Sequence, residues 1–192
     1  MNGIAVFRRS LGKHLVVMGL AAAGVTATGV AAACTLPGHG APPSGWMQEE
    51  RNPRPPHDGP GIVGMWKSNT LSPTGDVLDF GTQQFHSDGT EFLISGGRAP
   101  STGDVCMGVW EQIGPATYKI KHIALGYLSS DSSPPVVPAA FAGPAIIHQI
   151  VTLSPSGNKY TGTYTVDIYA KDGVTLVGHG EGTLTGVRFT VD

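Results

Sequence analysis

Residues 117–127 read TYKIKHIALGY, and polar and apolar side chains alternate along this stretch. Because successive side chains of a β-strand point to opposite faces, Tyr118 and His122 share one face. Lys119 and Lys121 share the other face. Lysine side chains are almost never fully buried, so we expect the lysine face to meet solvent and His122 to point inward. The stretch therefore predicts a half-buried β-strand.

Similar short runs rich in β-branched and aromatic residues recur through residues 62–192, and none repeats at helical spacing. Tight-turn sequences such as Ser87-Asp88-Gly89 and Lys171-Asp172-Gly173 separate them and predict hairpins. The predicted strands are Val63–Leu71, Val77–His86, Thr90–Ile94, Val105–Gln112, Thr117–Tyr127, Ile146–Leu153, Tyr160–Tyr169 and Val174–Val191.

Strands joined in order by hairpins form an antiparallel meander, and about eight of them can close into a cylinder without exposed edges. We therefore expect an all-β domain over residues 62–192, built as a single antiparallel up-and-down β-barrel of about eight strands. A β-sandwich would show the same alternation and stays open as the alternative. Glycines in the last run, from Gly178 to Gly186, are expected to let that strand bend.

The first 33 residues differ from the rest in charge and hydropathy. Arg8, Arg9 and Lys13 precede an uncharged run that ends in three alanines at Ala33. This pattern is typical of a signal peptide, and the arginine pair resembles a twin-arginine export signal. We expect residues 1–33 to be removed on export to a bacterial-type periplasm or to the extracellular space.

The sequence predicts a different chemical state for each of its two cysteines. Residues 30–34, ending in Cys34, resemble a lipoprotein signal, in which the cysteine is acylated and anchors the chain to a membrane. An ordinary cleavage site before an unmodified Cys34 is the alternative. Cys106, the other cysteine in the sequence, is expected to be a buried, inert thiol. A disulfide between Cys34 and Cys106, which an oxidising compartment would allow, is the alternative.

Residues 34–61 form a Pro/Gly-rich segment with little apolar surface. Seven prolines and five glycines fall between residues 35 and 61. Such a composition predicts a disordered linker, with Trp46 and Met47 as the residues that can dock onto the domain.

The charge balance excludes one class of function. Three of the 12 basic residues lie in the first 33 positions, which leaves nine basic residues against 14 acidic ones. A nucleic-acid-binding protein would show a clustered basic face, so we expect no nucleic-acid partner.

Alternation also selects candidate residues for the interior. Tyr160 and Tyr164 share a face opposite a row of threonines. Both faces of the runs around His86 and His148 mix polar with apolar residues, so the inward face is ambiguous there. We expect up to three histidines, His86, His122 and His148, to look into one cavity with Tyr118, Tyr160 and Tyr164.

Three imidazoles can bind zinc or transfer protons. These histidines lack a recognised ligand spacing, however, and each is explained as a polar core residue bonded to a tyrosine hydroxyl or to the backbone. The sequence therefore predicts no metal site, no cofactor and no catalytic residue.

The segment from Leu128 to Pro144 has no strand pattern and joins two predicted strands. It carries Val136, Val137 and Phe141 among four prolines. Long loops of this kind are often lids, so we expect this apolar segment to cover one end of the barrel. Packing against the outer wall is the alternative.

Gly64-Met65-Trp66 resembles the G-x-W signature of lipocalin-like (calycin) barrels, in which the tryptophan plugs the closed end. The stretch from His86 to His122, through Cys106 to Trp110, is similar to uncharacterised secreted bacterial proteins with a lipocalin-like barrel. Small exported barrels of the allene oxide cyclase type are similar in architecture alone.

Aromatic residues inside a barrel beneath an apolar lid are typical of a site for a small ligand. The sequence thus predicts an exported protein that binds a small, largely apolar ligand without catalysis. The predicted ligand-binding residues are Tyr118, His122, Tyr160, Tyr164, His148, His86 and Phe141. Two alternatives stay open: a small barrel isomerase or cyclase, and a non-catalytic structural or interaction module of the cell envelope. Membrane contact is expected only through lipidation of Cys34.

Overall fold

A computed structural model describes residues 61–191 together with Ser44, Trp46 and Met47. The predicted signal peptide, most of the predicted linker and Cys34 lie outside the described residues. The described chain forms eight strands and one 3₁₀ turn between β3 and β4, at Pro100–Thr102. The strands are β1 Gly64–Leu71, β2 Val77–Phe85, β3 Thr90–Ser95, β4 Val105–Gln112, β5 Thr117–Leu128, β6 Ala140–Leu153, β7 Lys159–Tyr169 and β8 Leu176–Arg188.

The strands form a closed antiparallel barrel in sequence order. Each strand pairs with the next, and β8 returns to pair with β1, where Trp66 lies opposite Arg188. This last pairing removes both sheet edges, whereas a sandwich would leave edges unpaired. The predicted up-and-down barrel is therefore confirmed, and the sandwich alternative is wrong.

The largest boundary difference concerns β6, which begins at Ala140 instead of Ile146. Pro144 lies within the strand opposite Leu125, next to a register shift between Gly126 and Tyr127. A proline lacks an N–H to donate and is tolerated in a sheet beside such irregularities. The connection between β5 and β6 is consequently shorter than the sequence predicts.

The alternation predicted for β5 is confirmed. Tyr118 and His122 are buried, whereas Lys119 and Lys121 are exposed. Tyr160 and Tyr164 of β7 are also buried.

The glycines of β8 make room for bulky side chains of β7. Gly186 lies opposite Tyr160, and Gly182 lies opposite Tyr164. A Cβ atom at Gly186 would overlap the Tyr160 ring, and one at Gly182 would come within 2.9 Å of the Tyr164 ring. The two strands therefore fit by pairing large residues with small ones.

The expected docking of Trp46 is confirmed. Its ring centroid lies 5.2 Å from that of Phe80, in an edge-on arrangement. The indole Nε1 donates a hydrogen bond to the carbonyl oxygen of Ser68 at 3.2 Å. Phe80 lies on the outer face of β2, so Trp46 contacts the outside of the barrel.

Candidate functional site inside the barrel

One end of the barrel is closed by aromatic side chains around Trp66. The Trp66 ring is fully buried, lies 5.0 Å from the Tyr160 ring and donates its indole N–H to Ile62 at 2.8 Å. The Tyr118 ring packs beside the Trp110 ring, with 5.7 Å between centroids, and its hydroxyl oxygen accepts a hydrogen bond from the backbone N–H of Ile62. Burial raises the pKa of Tyr118 above its ordinary value. Tyr118 therefore belongs to this closed end.

Arg188, which the sequence analysis does not single out, covers the closed end. Its guanidinium carbon lies 4.2 Å from the centroid of the Trp66 ring, a cation–π arrangement. The same group donates hydrogen bonds to the carbonyl oxygens of Gly61, Val63 and Gly157. It thus ties the start of β1 to the turn between β6 and β7.

A chain of hydrogen-bonded polar side chains crosses the interior. The Tyr160 hydroxyl donates to Oε1 of Gln83 at 2.8 Å. Nε2 of Gln83 donates to Oε1 of Glu91 at 2.8 Å and to Oε1 of Gln149 at 3.2 Å. All four side chains are buried. Buried polar groups are costly unless they are paired, so this network gives the interior one defined polar region.

Glu91 and His122 meet at the end of this chain. Oε2 of Glu91 lies 3.2 Å from Nδ1 of His122, and both side chains are fully buried. Gly108 lies between them in the sheet, paired with Glu91 on one side and with His122 on the other. A Cβ atom there would come within 2.5 Å of the His122 Cβ and 2.7 Å of Oε2 of Glu91. The glycine therefore allows the two side chains to pair.

The second ring nitrogen of His122 differs from the rest of the network. Nε2 is buried and has no hydrogen-bond partner among the described residues. A buried nitrogen without a partner costs about 1–3 kcal/mol. This nitrogen is therefore an unsatisfied polar atom at the end of the hydrogen-bonded network.

Asp79 is a buried carboxylate toward the other end of the barrel, at the start of β2. It accepts hydrogen bonds from the Ser95 hydroxyl at 2.9 Å and from the backbone N–H groups of Phe80 and Gly97 at 2.8 and 3.2 Å. Burial raises the pKa of Asp79 to about 6, although these hydrogen bonds and the positive charge of Arg98 act in the opposite direction. Asp79, Gln83 and Phe85 are separated by even numbers of positions in β2, so their side chains share one face of the strand. This spacing is the sequence signal that could have placed the Asp79 side chain inside the barrel.

Two of the three predicted interior histidines are on the outer wall, so that expectation is wrong. His148 lies between the buried Ile147 and Gln149 of β6 and points outward. His86 follows β2 on its outer side, and its ring packs against Phe92 at 5.7 Å. In both strands the inner face also carries glutamine, so polarity alone does not distinguish the faces.

The predicted lid is also different in the structure. Phe141 is part of β6, and its ring packs against Tyr127 at 5.6 Å. Val137 is 80% exposed and does not cover the interior. The loop is held instead to the 3₁₀ turn, where Ser129 Oγ donates to Ser101 Oγ at 3.0 Å.

Cys106 is fully buried, as expected, but it is disulfide-bonded, so the expectation of a free thiol is wrong.

In the part of the chain that the structure describes, no group of three or more His, Cys, Asp or Glu side chains is arranged to hold a metal ion. No helix within the same residues has the length and hydropathy to span a membrane.

No family model, curated protein or solved structure matches the chain.

Proposed function

We propose that the protein is an exported, lipocalin-like barrel that binds a small, largely apolar ligand in its interior. The position of Trp66 in the closed end supports the likeness to G-x-W barrels. In this proposal, His122 and Tyr164 contact the ligand, whereas Tyr118 and Tyr160 form the floor beneath it.

The observation that carries the proposal is the contrast between the two ends of the interior. Aromatic rings pack together around Trp66. Toward the other end, the inward neighbour of His122 on β5 is Ala124, and it pairs with Ala145 of β6. In this proposal the ligand lies between these alanines and the aromatic floor, beside the disulfide-bonded Cys106, which pairs with Ala124.

A neutral fluorescent probe, N-phenyl-1-naphthylamine, tests the proposal without a charged group. We expect saturable binding to the mature protein. Ala124→Leu, which narrows the interior, should weaken binding by about tenfold, the effect of 1.4 kcal/mol. Ala139→Leu makes the same change in the exposed loop and should leave binding unaltered. An absence of saturable binding by the unmodified protein would refute the proposal.

Export is part of the same proposal, whereas lipidation of Cys34 conflicts with the disulfide of Cys106, because the sequence has no third cysteine. Mass spectrometry of the mature chain tests both, because cleavage removes residues 1–33 and acylation adds the mass of the lipid. A sulfur atom that carries a lipid cannot also form a disulfide, so the mass before and after reduction separates the two states of Cys34. An uncleaved N-terminus would contradict the proposed export.

A second candidate function, an interaction module of the cell envelope, is favoured by the outer wall. Phe92, Met107 and Ile123 are cross-strand neighbours on β3, β4 and β5, and they are 39%, 56% and 42% exposed. The wall formed by β7 and β8 instead carries threonine pairs such as Thr163 and Thr183. Contiguous apolar patches on a surface mark interaction sites.

Sedimentation velocity tests this second candidate. We expect concentration-dependent association that Met107→Glu abolishes and that Thr163→Glu, on the polar wall, does not change. A monomer at every concentration would count against it.

A further inference from the structure

The disulfide of Cys106 reaches the inside of the barrel. Cys106 is the second residue of β4, and its side chain is fully buried. It pairs with Ala124 of β5, which faces the interior. Cys34 is the only other cysteine in the sequence, so it is the partner of Cys106 within the chain. The bond therefore joins the predicted N-terminus of the mature protein to the inner face of the barrel.

Cys106, Ala124 and Ala145 lie at the end of the barrel opposite Trp66, which we call the alanine end. Trp66 is near the start of β1, and the antiparallel order places the start of β4 and the end of β5 at the other end. These three side chains are small, yet they are only 0%, 0% and 1% exposed. An eight-stranded barrel is just wide enough for large side chains to fill, so small ones need a further group to cover them.

The position of Trp46 brings the chain before it close to the alanine end. Its ring packs on Phe80, on the outer face of β2. The carbonyl oxygen of Phe80 accepts a hydrogen bond from Gly96, directly after β3 and at the alanine end. Cys34 is twelve positions before Trp46. An extended chain of that length spans about 40 Å, which is enough to cross the rim from the outer wall to Cys106.

The composition of residues 34–43, CTLPGHGAPP, suits a place inside a barrel end. The stretch has no aspartate, glutamate, lysine or arginine. Its entry therefore leaves no fixed charge without water, which would be costly. Leu36, its one large apolar residue, is two positions from Cys34 and can pack against apolar side chains of the alanine end such as Ile168, the strand partner of Ala145.

We propose that residues 34–43 form a cover that closes the alanine end, held there by the disulfide between Cys34 and Cys106. The inference deepens the proposed function and rests on it in one respect, because the cover controls entry of the ligand. A dithiol opens the cover: the S–S bond breaks, each cysteine sulfur gains a hydrogen, and the dithiol is oxidised to its own disulfide. Without the bond, the effective concentration of the cover at the alanine end falls.

Amide hydrogen exchange of the mature protein, followed by mass spectrometry, tests the cover without any ligand. We expect the amides of residues 35–41 to exchange at least about tenfold more slowly before reduction by dithiothreitol than after it. Cys34→Ser removes the disulfide and should exchange fast without reductant. Thr35→Ser, at the next position, keeps the disulfide and should exchange slowly. Equal exchange in the two redox states, or a disulfide that joins two molecules, would overturn the inference.

Stopped-flow mixing with N-phenyl-1-naphthylamine tests the control of entry. We expect the probe to enter the reduced protein at least about tenfold faster than the oxidised protein. Cys34→Ser should bind the probe as fast as the reduced protein does and should not respond to dithiothreitol, which controls for other effects of the reductant. Thr35→Ser should behave as the unmodified protein.

The two experiments separate failure of the inference from failure of the proposed function. If the probe enters both forms at the same rate, the cover does not control entry and the inference is overturned, whereas ligand binding stands. If the probe binds neither form, the proposed function fails, and hydrogen exchange alone decides whether the cover exists.

Discussion

Replacement of Asp79 by asparagine tests the electrostatics of the barrel interior. The pKa of this carboxyl rises from 3.8 to about 6 on folding, because burial disfavours its charged form. Between these values the folded protein holds a proton that the unfolded chain releases. Stability from this group is therefore fully present below about pH 3.8 and is lost as the pH rises through about 6. The loss between about pH 4 and about pH 7 is about 2 kcal/mol, since one pKa unit corresponds to about 1.4 kcal/mol.

Urea denaturation from about pH 4 to about pH 7 measures this effect as a difference between two proteins. The free energy of unfolding of the unmodified protein should fall with pH relative to that of Asp79→Asn, by about 2 kcal/mol over the range. Asp172→Asn is the control, and its free energy of unfolding should follow the same pH dependence as that of the unmodified protein. Hydrogen bonds from Thr175 lower the pKa of Asp172 to about 2, so this residue stays ionised throughout the range. If the unmodified protein and Asp79→Asn show the same pH dependence, the pKa of Asp79 is not raised on folding.

Two further predictions concern packing. Arg188→Met removes the cation–π contact with Trp66 and the hydrogen bonds to three carbonyl groups, and should lower the free energy of unfolding by about 2 kcal/mol. A loss below about 0.5 kcal/mol in urea denaturation would contradict this role. Gly186→Ala should cost about 1–3 kcal/mol, because the added methyl group overlaps the Tyr160 ring. Gly114→Ala, where the new Cβ would meet its nearest atom at 3.4 Å, is the control, and equal thermal stability of the two variants would argue against a steric cause.

Much of the barrel wall could be predicted from local patterns. The range predicted for β4 agrees with the structure at both ends, and β5 differs by one residue. In β5, alternation with two lysines identified the inner face without ambiguity. In β6 the prolines concealed the first six residues of the strand, because proline is read locally as a break.

The site was predicted less completely than the wall. Tyr118, His122, Tyr160 and Tyr164 face the interior as expected. Glu91, the partner of His122, was not predicted. It lies 31 positions away in the sequence, and the pair forms only because Gly108 separates the two strands without a side chain.

Local sequence patterns were enough to predict the alternating strands and the hairpin turns between them. They also predicted the inner face of strands, such as β5, in which only one face can be buried. Short-range sterics and the cost of burying lysine are enough for these features. Contacts between distant strands set the closure of β8 onto β1, the outward positions of His86 and His148, and the contacts of Arg188 and Glu91. These features depend on which distant strands become neighbours. Where both faces of a strand mix polar with apolar residues, only the assembled barrel determines which face is buried.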